Sequence, residues 1–170
     1  EICQMATDSD YLNYIIITGG SYTDSEHEFD MHIRTIKAIR HHLPWNGRIK
    51  GNVSMMPPKN LERLKELYDN GVDNPSFNIE VWPHSAFSHF CPGKEMYVGF
   101  DHVISSLKKL VEFYGPGMVW SNFVAGLVPI EDMKDGFRYM AENGIIPGAN
   151  IYHAEVRSVI GNSLGVIDTD

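Results

Sequence analysis

The sequence predicts an α/β protein in which a parallel sheet carries its helices on the outside, and three observations support that reading. Short apolar runs alternate with segments of helical periodicity four times along the chain. The first run, Tyr14-Ile15-Ile16-Ile17-Thr18, is continuous rather than alternating, the habit of parallel strands covered on both faces. The links are short, which implies right-handed crossovers within one sheet.

Each element has its own local reason. The run over 14–18 is β-branched and ends at Gly19-Gly20, which marks a buried strand. Phe29, Ile33, Ile36, Ile39 and Leu43 then recur at helical spacing, and Pro44 and Gly47 stop that helix. Ile49 to Ser54 reads as the second strand. Pro57-Pro58 opens a helix with Leu61, Leu64, Leu67 and Tyr68 on one face, and Asn70-Gly71 closes it as a left-handed cap. Phe77 to Trp82 reads as the third strand. A long loop through His84, Cys91 and Pro92-Gly93 leads to a helix carrying Phe100, Val103, Ile104, Leu107, Leu110, Val111 and Tyr114. Met118 to Leu127 supplies a fourth strand and Ile130, Met133, Phe137 and Met140 a helix ended by Asn143-Gly144. Ala149 to Val156 is a candidate fifth strand, and Gly161 to Asp170 carries no clear signal.

The 170 residues read as a single domain with a real core; such a chain buries roughly two-thirds of its unfolded surface. Eight strand–helix units close a barrel of about 250 residues. Four units and a fifth strand make either an open sheet or an incomplete (β/α) barrel of the TIM type. The net charge of −8, with no basic run longer than Lys108-Lys109, argues against nucleic acid or an anionic membrane as partner. No stretch approaches about 18 consecutive apolar residues. Cys3 and Cys91 are too few for a disulfide framework or a complete thiolate metal site, and read as reduced thiols in a cytoplasmic protein. The chain begins at Glu1 without a signal segment and reads as a piece of something longer.

Ligands of parallel α/β sheets bind at the carboxyl ends of the strands. Those ends carry Thr18-Gly19-Gly20-Ser21, Asn52 and Ser54, Asn78 and Glu80, Ser121 and Asn122, and Tyr152, His153, Glu155 and Arg157. Gly19-Gly20 is either a tight turn or a point where backbone closely approaches a ligand. Asn78 and Glu80, two apart on a strand, point the same way. A carboxylate inside a barrel is costly without a partner, so Glu80 needs a cation, a hydroxyl-bearing ligand or solvent. His27, His32, His41, His42 and His102 fall on or beside helices and read as solvated. His84, His89 and Cys91 match no zinc spacing, which leaves His153 as the histidine to place near a site.

In order, Ile15-Ile-Ile-Thr-Gly-Gly20, Gly51-Asn-Val-Ser-Met-Met56, Phe77-Asn-Ile-Glu80, Cys91-Pro-Gly-Lys-Glu95 and Ser121-Asn-Phe-Val-Ala-Gly-Leu127 resemble the second to sixth strands of the radical S-adenosylmethionine family, most closely its biotin-synthase-like branch. The likeness runs from about Leu12 to Gly161. It implies that Gly19 and Gly20 meet the amino end of S-adenosylmethionine, that Asn78 and Glu80 hold its ribose hydroxyls, and that Lys94 pairs with its carboxylate. Ser54 and Asn122 match inward-facing polar positions, and Tyr152 and His153 fall where the last of these strands meets adenine or substrate. The family's three-cysteine C-x3-C-x2-C loop has no counterpart here. A four-iron, four-sulfur cluster is therefore expected only in a longer parent enzyme, where it would cleave S-adenosylmethionine to a 5′-deoxyadenosyl radical that abstracts hydrogen from a small-molecule substrate. No residue of this chain reads as catalytic, and open sheet edges make self-association an expectation. Two alternatives stand beside this one: a (β/α)-barrel lyase or aldolase using Lys94 or Lys50 as a Schiff-base amine, and a non-catalytic degenerate barrel.

Overall fold

A computed structural model describes residues 1–9 and 12–153. The elements in chain order are helix α1 (Ile2–Asp8), strand β1 (Ile15–Thr18), helix α2 (Ser25–Ile39), strand β2 (Ile49–Ser54), helix α3 (Lys65–Asp69), strand β3 (Val72–Ser76), helices α4 (His84–Phe90), α5 (Pro92–Tyr97) and α6 (Phe100–Tyr114), strand β4 (Val119–Ala125), helix α7 (Ile130–Glu142) and strand β5 (Ile145–Ile151). Short 3-10 turns follow α2 at Arg40–His42 and precede α3 at Leu61–Leu64.

The five strands form one sheet in chain order, and every neighbouring pair is parallel. Successive right-handed crossovers that always step in the same direction bring every connecting helix to one face. Burial agrees with that geometry. Ile49, Val53, Val72, Val119 and Phe123 are buried and share one apolar core with Phe29 and Ile36 of α2, Leu107 of α6 and Met140 of α7. The alternate residues Ile16, Asn52, Asn74, Trp120 and Asn150 are half-exposed or exposed. The sheet is thus covered on one face and open on the other.

Helix α2 starts where Asp24 accepts hydrogen bonds from the Glu26 and His27 amides at 3.1 and 3.4 Å. Its buried stripe, Ser25, Glu28, Phe29, His32, Ile33 and Ile36, has helical spacing throughout. His32 is therefore buried rather than solvated, with its Nδ1 3.0 Å from the Glu28 carbonyl one turn back. His102 is half-buried with its Nε2 2.8 Å from the Pro58 carbonyl, whereas His27, His41 and His42 are exposed. Arg63 clamps α2 to the connection after β2, bonding Glu26 and Asp30 at 2.6 Å each and Glu66 at 2.9 Å.

Several sequence expectations shift: β1, expected to be covered on both faces, leaves Ile16 exposed, and the helix expected to open at Pro57-Pro58 begins only with the 3-10 turn at Leu61–Leu64. The third strand is Val72–Ser76, not 77–82, because pairing starts directly after the left-handed Gly71. The apolar alternation over 77–81 nonetheless holds, with Phe77, Ile79 and Val81 buried. The fifth strand starts four residues early, at Ile145; positions 154–156, Glu155, Arg157 and the tail from Gly161 lie outside the described residues. The long loop after 82 holds two short helices, α4 and α5, the second opened by Pro92 at its first turn. Finally, α1 had no periodic signal; its Thr7 hydroxyl donates to the His42 carbonyl at 3.0 Å.

Gly51 is the tightest point of the sheet. Its φ is +149°, and a Cβ there would overlap the Ile15 carbonyl of β1. Gly51→Ala should cost about 3 kcal/mol or more, since the obstacle is backbone of a neighbouring strand. Thermal denaturation checks this: a large loss of Tm is expected, against little change in Gly20→Ala, whose Cβ would meet nothing within 4 Å.

Candidate functional site

The carboxyl ends of β1, β2 and β3 surround a polar cavity of about 100 Å³. Thr18, Gly19 and Ser21 line it from β1 and the loop beyond, and Ser54, Met55 and Met56 from β2. Asn78 and Glu80, past β3, and Lys94 of α5 complete the wall, with Glu28 of α2.

Beyond Ser76 the backbone ladder between β3 and β4 gives way to side chains. Asn78 Oδ1 accepts from the Asn122 amide at 3.2 Å, and the Ile79 amide donates to Ser121 Oγ at 3.1 Å. Backbone pairing resumes at Glu80, whose amide donates to the Asn122 carbonyl at 3.0 Å and whose carbonyl accepts from the Val124 amide at 2.6 Å. Glu80 has φ +65°, a conformation uncommon for a residue with a Cβ. Asn78 and Glu80 are therefore brought to one side by a side-chain-bridged segment, not by a regular strand.

Asn78 is heavily committed within the protein. Its Oδ1 also accepts from Ser76 Oγ at 2.7 Å and Asn122 Nδ2 at 3.3 Å, and its Nδ2 donates to Ser54 Oγ at 3.3 Å. Asn122 has room for this contact because its neighbour in β5 is Gly148, where a Cβ would overlap Asn122 Oδ1.

Lys94 lies in α5 rather than in an irregular loop. Its ammonium pairs with Glu80 Oε1 and donates to the Asn78 carbonyl at 3.3 Å. Both side chains of the pair are half-buried. Glu95, the next residue, accepts from the Phe100 amide at 3.1 Å and sits 2.8 Å from His84 Nε2. The His84 contact, and then the Phe100 amide, hold the Glu95 carboxyl below the usual carboxylate range. This anchors α5 against the start of α6 and so fixes where Lys94 projects.

Glu28 is the residue that sequence reading missed. It is 1% exposed, and its carboxylate accepts from the Tyr22 amide at 2.9 Å and the Met56 amide at 2.8 Å. It ties the loop after β1 to the loop after β2. The available signal was its place on the apolar stripe of α2, one residue before Phe29.

Of the residues singled out from sequence, Gly19, Ser54, Asn78, Glu80 and Lys94 share this cavity, and Asn122 bonds to it through Asn78. Gly20 turns to a neighbouring hollow that also meets Met31 and His32 of α2. Tyr152 stands at the end of β5, its amide donating to the Ala125 carbonyl at 2.9 Å, and its hydroxyl is buried with no partner among the described residues. His153 is exposed and lines none of these hollows. Lys50 is exposed near the opposite, amino end of β2.

Among the described residues no three His, Cys, Asp or Glu side chains converge in an arrangement that could hold a metal ion. Cys3 lies in α1 and Cys91 between α4 and α5, so the thiols of this chain do not fit an iron–sulfur cluster. Burial pushes the Cys91 thiol up to about 11, outweighing the nearby Lys94 charge. No family model, curated protein or solved structure matches the chain.

Two outcomes follow from this geometry. Glu28→Ala leaves the buried Met56 amide and the part-buried Tyr22 amide without an acceptor and should cost about 2–4 kcal/mol; hydrogen exchange should show Tyr22 and Met56 losing protection ahead of the sheet. Raising a thiol pKa removes the reactive thiolate at neutral pH. Cys91 should therefore alkylate at pH 8 roughly 100-fold more slowly than an unperturbed thiol, gaining about tenfold per pH unit until pH approaches 11. Mass spectrometry of the Cys91 peptide across a pH series measures it.

Proposed function

We propose that this chain is the S-adenosylmethionine-binding part of a radical S-adenosylmethionine enzyme core, and that its sheet is a section of a (β/α) barrel. The observation that carries the reading is the gathering of Ser54, Asn78, Glu80 and Lys94 around one polar cavity at the carboxyl ends of successive parallel strands. These are the residues that resembled the family's ligand-contacting positions, and they come from three separate stretches of sequence.

Charge supports the same ligand. Glu28 and Glu80 against Lys94 leave the cavity one negative charge in excess. S-adenosylmethionine carries a sulfonium, an ammonium and a carboxylate, a net charge of +1, so ligand and cavity are complementary. Glu80 Oε1 faces Lys94, and Oε2 makes no hydrogen bond among the described residues. That leaves one oxygen for a ribose hydroxyl. Asn78, occupied by Ser54, Ser76 and Asn122, acts chiefly as the strut that aims Glu80. Lys94 supplies a point charge for the ligand carboxylate without the fork an arginine would offer. The open polar face of the sheet is where a hydrogen-abstraction substrate would lie. The edges at β1 and β5 are the positions for further barrel strands or a second copy of the chain.

The two thiols of this chain, Cys3 and Cys91, do not fit an iron–sulfur cluster, so what its own residues contribute is ligand binding. The lyase or aldolase alternative receives no support: Lys94 is held in an ion pair and Lys50 is solvent-exposed at the far end of its strand.

Calorimetric titration with S-adenosylmethionine tests the reading. Weak, saturable binding is expected, with Glu80→Ala reducing affinity at least tenfold, about 1.4 kcal/mol, as befits a hydrogen bond to a charged group. Methionine alone, lacking the ribose, should be insensitive to Glu80→Ala. Equal binding by the wild type and Glu80→Ala would falsify the ribose assignment.

A further inference from the structure

A second cavity, of about 180 Å³, adjoins the polar one and shares Ser21, Met56 and Lys94 with it. Its remaining wall is of a different kind: Tyr22, Thr23, Gly93, Tyr97 and Val98. Tyr22 and Tyr97 are 47% and 45% exposed, so two aromatic rings at this cavity are only half covered by the protein itself. Met56 is 3% exposed and forms a polarizable part of the wall. At Gly93 a Cβ would meet no atom within 4 Å, so the short helix α5 leaves open space where any other residue would place a side chain.

We propose that this cavity is a binding subsite for the ring of a neutral small molecule, an aromatic or alicyclic compound bearing a hydroxyl or carbonyl. The volume suits one ring, since an apolar cavity of about 150 Å³ accommodates benzene. The tyrosine rings and the Met56 thioether offer the edge, face and sulfur contacts that such rings favour. The polar group meets Lys94. An ammonium has three N–H donors, and two of them face Glu80 Oε1 and the Asn78 carbonyl, which leaves the third for an acceptor on the ligand. The ligand is neutral because Lys94, the charged residue of this lining, is already paired with Glu80, so a carboxylate arriving without a compensating cation of its own meets no excess positive charge. The subsite stands on this geometry alone and does not require that the neighbouring polar cavity take a nucleotide; a ligand carboxylate placed on Lys94 there would compete for the same third donor.

The test uses the 170-residue chain with methyl-labelled methionine and valine, titrated with p-cresol and followed by NMR. Ring-current shifts of the Met56 and Val98 methyls that saturate are expected. Gly93→Phe, which fills the space, should weaken binding at least tenfold, whereas Gly93→Ala should leave it within about threefold. Tyr97→Ala, which opens one wall, should also weaken binding at least tenfold and serves if Gly93→Phe does not fold. Benzoate should bind at least tenfold more weakly than p-cresol. Glu80→Ala should reduce S-adenosylmethionine affinity at least tenfold while changing p-cresol affinity less than about threefold, so the two readings fail separately. Absence of saturable shifts, or shifts indifferent to both Gly93→Phe and Tyr97→Ala, overturns the subsite. Benzoate binding as tightly as p-cresol overturns its assignment to neutral ligands.

Discussion

The amide of Asn78 is the interaction on which the site depends. Between Ser76 and Glu80 the backbones of the third and fourth strands no longer pair directly, and an unpaired buried backbone group would be costly. Asn78 Oδ1 takes the Asn122 amide, and Ser121 Oγ takes the Ile79 amide. Two side chains therefore replace two rungs of a ladder. The gap they bridge lets Glu80 adopt a left-handed backbone conformation and turn its carboxylate to Lys94 without opening the core beneath it. Phe77, Ile79 and Val81 stay buried on the helix side throughout. An apolar residue at 78 would leave the Asn122 amide unsatisfied and the Ser54 and Ser76 hydroxyls short of a partner.

Around that strut the rim is assembled by capping and loop-tying rather than by rigid strand geometry. Glu28 reaches from α2 to hold the loops after β1 and β2, and Arg63 holds α2 itself through Glu26 and Asp30. Glu95 performs the comparable task for α5 by capping the first amide of α6. Glu26, Glu28 and Glu95 each make charge-assisted bonds to main chain, which are shorter and stronger than neutral ones. The cavity-facing groups Glu80 and Lys94 are in turn tied mainly to each other, so both retain hydrogen-bonding capacity toward a ligand.

Legibility from sequence divided along physical lines. Helices α2, α6 and α7 and strands β2 and β4 announced themselves because each buries a stripe of the right period against one core, whereas β1 was legible as a continuous β-branched run although its Ile16 is exposed. Strand β3 did not, since Val72-Asp-Asn-Pro-Ser contains three poor strand formers and its ladder with β2 shifts register between Ile49 and Asn52, with the Asn52 side chain adding a bond to the Asn74 carbonyl. The segment 77–82 carried the expected alternation while its hydrogen bonds went through side chains, which composition does not reveal. Five of the nine site residues read from sequence meet at one cavity because the carboxyl-end rule applies to any parallel sheet. Glu28 was hidden because a carboxylate on an apolar stripe looks like a misplaced surface residue until its two amide partners are known. His153 was overvalued because position at a strand end says nothing about which way a side chain turns beyond it.

The two faces of the sheet differ in a way that constrains what the open one can meet. Parallel sheets are ordinarily buried on both sides and built from aliphatics. Here the helix face follows that habit, whereas the other face presents Asn52, Ser54, Asn74, Ser76, Asn78 and Asn122 on three adjacent strands. Several of these bond to one another across strands, Asn52 to the Asn74 carbonyl at 3.1 Å and Asn78 to Ser54 at 3.3 Å, so the face is satisfied without a covering layer. A second apolar layer packed here would have to desolvate amides whose remaining donors and acceptors it could not meet. Water or a ligand rich in hydroxyls meets them at little cost. The open face is thereby matched to water or a hydroxyl-rich ligand, and the polar cavity at its rim is the place where that face meets charged side chains.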